Sequence, residues 1–278
     1  MIRNHAIRMP LVFMLLMCLT AGMACSAQET HGAARPSLEG SVPRQLAARI
    51  STALGVVRMS DADRTRIITA IAAHPSDFIS LLDAAVALRA KDPDLLRRVD
   101  KSVSLPASYE PSDLVPLEGP FPYVVAKKGI MLRAPARDAL AAMAAAARKD
   151  GITLVVSSAY RSYEYQKTVF ESNVRAMGRT EAERVSAPPG MSQHQLGTAI
   201  DFGTIDDSFA ETPAGRWLAA HAAEHGFSLS FPKGMEQITG YRWESWHYRY
   251  LSVPAVRLQN EFFLGVQQYL IEFLDVYR

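Results

Sequence analysis

Cysteine is nearly absent from this chain. Cys18 and Cys25 are the only two in 278 residues, and both lie close to the N-terminus, so no disulfide framework staples the rest and the fold must rest on core packing. No charge of one sign dominates either. Lys and Arg number 30 against 28 Asp and Glu, a formal net charge of +2. Such a balance leaves no basic field, and no nucleic-acid partner is expected. Long apolar runs are also missing. The longest near the N-terminus, LVFMLLMCL from Leu11 to Leu19, is too short for a comfortable membrane span. No internal repeat is visible. What is present is a 49% hydrophobic composition with ordinary glycine and proline, enough for one good core and a smaller appendage.

The N-terminus has the layout of an export signal. Arg3 and Arg8 precede the apolar run, and small residues follow from Ala21 to Ala27, with cleavage expected after Ala24 or Ala27. Arg3 and Arg8 are the only charged side chains among the first 24 residues, so losing that segment lowers the 30 basic side chains to 28, against 28 acidic. Cys18 leaves with the signal, and the exported chain has no intramolecular disulfide. GMAC at 22–25 resembles the bacterial lipobox, with Gly22 where Leu is usual. Two readings of Cys25 stand side by side: a lipid-modified residue that attaches the protein to a membrane, or a plain signal-peptide cysteine. The expected location is the periplasm or cell envelope, soluble or as a lipid-anchored lipoprotein.

After the signal peptide (1–25), polar residues 26–43 read as a flexible tether. A helical segment is expected over 44–101. Leu46, Ile50, Leu54 and Val57 recur at helical spacing, Ser60 caps a second helix with Asp61 and Asp63 in its first turn, and Pro75 starts a third. A structural cap is preferred there over a docking element, because no polar cluster marks a site. The remainder, 102–278, reads as the main domain. Its proline-rich start, to about 130, predicts an extended connection. Helices are expected over 134–149, 162–177, 213–225 and 256–277, a loop over 178–193, and strands at ITLVVSS, LGTAIDFG, FSLSF and YRWESWHYRY. Mixed element order without βαβ repetition gives an α+β class with a central antiparallel sheet.

Two short stretches carry the chemistry: SQHQLGTAID at 192–201 and ESWH at 244–247. His194, Asp201 and His247 form a two-imidazole, one-carboxylate set that suits a zinc ion with an open position for water. Asp201 lies between Ile200 and Phe202 on an apolar strand, where an unpaired carboxylate is costly. Gly197 and Ala199 are small enough to let the backbone approach a metal. Glu244 is the candidate base for water. On a regular strand, Glu244 and His247 point to opposite faces, so a bulge or turn at Ser245–Trp246 is required. Trp243 and Trp246 would wall the site and keep it partly dry. Arg161, in SSAYRSYEYQ, offers a fixed charge for a tetrahedral oxyanion. Ser157, Tyr160, Gln166, Ser192 and Trp246 are the candidate substrate contacts. A rival pair, His221 and His225, has i,i+4 spacing, but HAAEH lacks the glutamate placement of HExxH.

YRSYEYQ, SQHQLGTAID and ESWHYRY together resemble the VanY-type D-alanyl-D-alanine carboxypeptidases of the LAS group of zinc peptidases, over residues 95–277. The resemblance implies a compact α+β domain around a central antiparallel sheet, with zinc on His194, Asp201 and His247. It also implies Glu244 as catalytic base and Arg161 as the group polarising the scissile carbonyl. Gln166 and Ser192 fall at pocket positions, and peptidoglycan stem peptides are the substrate. No acyl-enzyme is expected, so β-lactams should not inactivate it. Some positions depart from the family pattern: Ser245 replaces a proline, Gln193 a glutamate, Ser230 an arginine and Phe231 a tyrosine. The expected activity is zinc-dependent removal of terminal D-alanine. An L,D-carboxypeptidase, a peptidoglycan endopeptidase and a non-catalytic wall-binding module are the alternatives.

Overall fold

The computed structural model describes residues 37–277. The export signal, Cys25 and most of the tether lie outside the described residues. The tether ends earlier than expected, because Leu38 and Val42 are buried in a core rather than solvated.

Three helices come first: α1 (Arg44–Val56), α2 (Asp61–Ala73) and α3 (Pro75–Lys91). The Ser60 side chain accepts from the Asp63 N–H at 3.0 Å, as its position predicts. Next come strands β1 (Leu114–Pro116), β2 (Val124–Val125) and β3 (Met131–Arg133), inside and beside the stretch read as a connection. Helix α4 (Ala134–Lys149), strand β4 (Val155–Ser158), α5 (Tyr163–Met177) and α6 (Arg179–Val185) follow. Thus the expected loop over 178–193 is partly helical. Its Gly178 has φ +82°, which turns the chain between α5 and α6. The rest runs β5 (Ala199–Phe202), α7 (Pro213–His221), β6 (Phe227–Leu229), α8 (Glu236–Thr239), β7 (His247–Tyr250), α9 (Val253–Phe262) and α10 (Gln267–Val276).

The five-stranded sheet has the order β2-β4-β5-β7-β6. All its pairings are antiparallel except β2 with β4, which is parallel. Alternation along the strands decides what each face carries. Ile200, Phe202 and Tyr248 point into a core with Leu140, Met143, Ala144 and Ala147 of α4. Their neighbours Asp201, His247 and Arg249 occupy the opposite face.

A second core joins α1, α2 and α3 to α9 and α10. Phe78 of α3 meets Phe262 of α9 edge-on, with ring centroids 5.1 Å apart. The closing helix expected over 256–277 is therefore two helices. Leu264 (φ +57°) and Gly265 (φ +70°) turn the chain between them. Both belong with the N-terminal helices in one packed layer, and the described residues 37–277 belong to one compact unit.

Candidate active site

The sheet register brings two of the candidate ligands together. Asp201 on β5 is the direct cross-strand partner of His247 on β7. Their side chains share the face away from α4, and His247 Nδ1 lies 3.0 Å from Asp201 Oδ1. His194 arrives from a tight 3-10 turn, Gln193–Leu196, capped by the Ser192 side chain. His194 Nε2 lies 3.2 Å from Asp201 Oδ2, and the two imidazoles meet at 90° with centroids 4.8 Å apart. Gly197 then takes φ +66°. A Cβ there would sit 2.9 Å from Arg133 Cγ and 3.0 Å from a Leu114 methyl. This glycine serves the turn and its packing against β1 and β3, rather than backbone approach to a metal.

Hydrogen bonds fix which ring atoms face inward. His194 Nδ1 is 2.6 Å from the Ala159 carbonyl, which can only accept. Nδ1 must carry the proton, leaving a lone pair on Nε2. That buried Nε2 has no hydrogen-bond partner, as suits an atom reserved for a cation. One ligand atom each from His194, Asp201 and His247 lies within 4.8 Å of the others, and all three residues are buried. This donor set fits a divalent metal of the zinc type. The His221 and His225 pair forms no such group with a third ligand among the described residues. His221 instead sits over Trp217 and beside Glu224.

Glu244 reaches the same place by a turn. β7 starts only at His247, and the His247 N–H donates to the Glu244 carbonyl at 3.2 Å. The turn at Ser245–Trp246 replaces the long strand expected there, and leaves Glu244 Oε2 3.6 Å from His247 Nδ1. Burial, reinforced by the Asp201 charge, pushes the Glu244 carboxyl up to about 8. Burial and the Arg161 charge push His194 down to about 4, so it is neutral at physiological pH. Burial works to raise the Asp201 carboxyl, yet it lies well below the usual carboxylate range and stays charged.

Arg161 spans the site. Its Nη1 donates to Gln166 Oε1 at 2.9 Å and its Nη2 to Asp201 Oδ2 at 3.3 Å. Gln166 is anchored in turn by donating to the Ala187 carbonyl at 2.7 Å, so it orients the arginine. His194, Asp201, His247, Glu244, Arg161 and Trp246 line one cavity of about 280 Å³. Ser157, Gln166 and Ser192 also line it, although the Ser157 hydroxyl is engaged by the Gly203 carbonyl. Tyr160 does not line it. Burial and the Glu110 charge raise its hydroxyl above the usual value.

Sequence reasoning assigned no role in the site to four residues. Tyr241 lines the cavity with a buried hydroxyl that has no partner. The Phe231 ring lies 4.8 Å from His247. Asp100 and Gln268 bring the helical layer into the cavity wall. A signal for the last was the pair of glutamines in the otherwise apolar VQQYLIEFL.

Residues 129–253 match the family model described as VanY, D-alanyl-D-alanine carboxypeptidase. A curated relative from Bacillus subtilis (strain 168), named "Putative carboxypeptidase YodJ", is 36% identical over 182 residues, 63% of this chain and 67% of the relative. Among solved structures, the LdcB LD-carboxypeptidase is 33% identical with a TM-score of 0.57, covering 67% of this chain and 89% of that one. A mutant of the vancomycin-resistance D,D-pentapeptidase VanY, solved with Zn(II), is 29% identical with a TM-score of 0.53, covering 65% of this chain and 99% of that one.

Proposed function

This chain belongs to the VanY family of D-alanyl-D-alanine carboxypeptidases, and from that premise we propose that it removes the terminal D-alanine of peptidoglycan stem peptides with a zinc ion held by His194, Asp201 and His247. Family membership makes it a peptide hydrolase of the metallopeptidase kind with the LAS fold. The observation that carries the finer reading is the convergence of three buried donors on one point, with the Glu244 carboxylate 3.6 Å from one of them.

Zinc, when bound, supplies Lewis-acid chemistry at the scissile carbonyl and the attacking water. Glu244 takes the proton of that water and passes it to the departing D-alanine amine. To take that proton Glu244 must be ionised, and a cation held beside it would favour the ionised form that burial alone opposes. Arg161, kept in place by Asp201 and Gln166, sets a fixed positive charge where the oxyanion develops. Ser192, on the cavity wall, is the contact for the leaving group's carboxylate, while Gln166, with both ends of its amide engaged, acts by orienting Arg161. Export to the periplasm or cell envelope, with Cys25 either lipidated or free, belongs to the same proposal. A lipid adduct at Cys25 in the mass of the mature protein distinguishes the two forms.

An L,D-carboxypeptidase is the second reading, favoured by the likeness to LdcB. Purified protein given a stem pentapeptide ending in D-Ala-D-Ala and the matching tetrapeptide separates them. D-alanine release from the pentapeptide supports the D,D reading. Release only from the tetrapeptide replaces it with the L,D reading, and release from neither removes both.

A further inference from the structure

Behind His247 runs a chain of neutral hydrogen bonds that begins in the helical layer. Gln267, the first residue of α10, donates from Nε2 to the Ser228 carbonyl at 3.3 Å. A carbonyl only accepts, so the Gln267 amide is oriented and its Oε1 must face the other way. There it accepts from Gln193 Nε2 at 3.2 Å. The Gln193 amide is oriented in turn, and its Oε1 accepts from the Ser230 hydroxyl at 2.7 Å and lies 3.2 Å from His247 Nε2. The single Ser230 proton has Gln267 Oε1 as a longer alternative acceptor at 3.3 Å. All four side chains are buried.

We propose that Gln193 and Gln267 are positioning residues for the metal site: the relay from Ser228 through Gln267 and Gln193 fixes His247 in the tautomer protonated at Nε2. Asp201 Oδ1, 3.0 Å from Nδ1, is the competing acceptor that would draw the proton to Nδ1, so it is the relay that keeps the lone pair on Nδ1 for a metal. The inference rests on the metal-site reading above, and it adds that the C-terminal helix of the helical layer reaches the first ligand shell through two amides. Each link is directional, because a glutamine amide has one donating and one accepting end. Losing Gln267 frees the Gln193 amide to flip, which turns an N–H toward His247 and favours the wrong tautomer. Outer partners of this kind typically govern 10- to 100-fold in metal affinity.

The test uses the full chain with ¹⁵N-labelled histidine and metal removed, read by long-range ¹H–¹⁵N correlation of the imidazoles. His247 should be protonated at Nε2. Zinc affinity is then measured by chelator competition for the wild type, Gln193→Met and Gln267→Met. Gln193→Met should bind zinc about 10- to 100-fold more weakly, with Gln267→Met intermediate, and both should show mixed His247 tautomers without metal. A wild-type His247 protonated at Nδ1 overturns the proposal even where neither variant folds. So does Gln193→Met with unchanged affinity and tautomer. Failure of the wild type to take up zinc would instead sink the metal-site reading, while the tautomer measurement would still judge the relay.

Discussion

Glu244 and His194 are both buried beside Asp201, and burial moves them in opposite directions. Glu244 rises from 4.5 to about 8, so the metal-free folded protein retains a proton that the unfolded chain gives up. Its contribution to stability is full below about pH 4.5 and is lost as pH rises through about 8. Glu244→Gln is neutral at every pH. In the presence of chelator its melting temperature should therefore gain on the parent's between about pH 5 and about pH 9. A difference that stays constant over that range would show Glu244 to be unperturbed. His194 falls from 6.5 to about 4, so its contribution is present above about pH 6.5 and is lost as pH falls toward 4. Arg161 is a question of geometry. Arg161→Lys keeps the charge but cannot hold Gln166 and Asp201 together. Its kcat should fall by about 100-fold with a smaller change in KM. An unchanged kcat would remove Arg161 from the oxyanion.

Among the elements, α10 carries more than its apolar face suggests. Glu272, 2% exposed, accepts from Arg58 Nε at 2.8 Å, from Gln268 at 2.9 Å and from Arg98 at 3.3 Å. Asp100, similarly buried, accepts from Arg98 and Gln268. Removing one member of such a network strands the others. Glu272→Ala should cost about 3 kcal/mol in denaturant unfolding, the low end for buried pairs because Arg58 is half exposed. A loss under about 1 kcal/mol would class the network with surface pairs. Helices α1 to α3 were legible from the apolar spacing of Leu46, Ile50, Leu54 and Val57 and from the start signals Ser60 and Pro75. The break between α9 and α10 was signalled only by Gly265, a residue a helix interior also tolerates, since Leu264 at φ +57° gives no sign of itself in sequence. β7 was read too long because Tyr241 and Trp243, then Trp246, Tyr248 and Tyr250, recur at every second residue as strand residues do, while a turn claims Ser245–Trp246. The ligands were legible because seven- and three-residue spacings keep them in two short motifs. Gln193 and Ser230 stood out as departures from the family pattern, but spacing gave no sign that the Ser230 hydroxyl meets Gln193, and beyond it Gln267, each 37 residues away in sequence.

At the level of the molecule, periodicity shows that a helix has an apolar face but not what covers it. Helices α1 to α3 cover α9 and α10, which lie beyond the matched residues 129–253. The cap expected at the N-terminus thus completes a core begun at the C-terminus, and α10 carries that layer to His247 and the cavity wall. A chain lacking residues 44–91 would bare the apolar faces of α9 and α10. It should lose cooperative unfolding and become sensitive to chymotrypsin, and a truncated chain as resistant as the parent would make the layer dispensable. The central claim concerns the metal and the base acting at one site. D-alanine release from a stem peptide should be followed with metal removed and then with zinc restored at one equivalent, for the wild type and Glu244→Gln. Release should stop without metal and return with zinc in the wild type, and stay absent in Glu244→Gln although that variant binds zinc. Release that survives chelation, or that survives loss of Glu244, would contradict it.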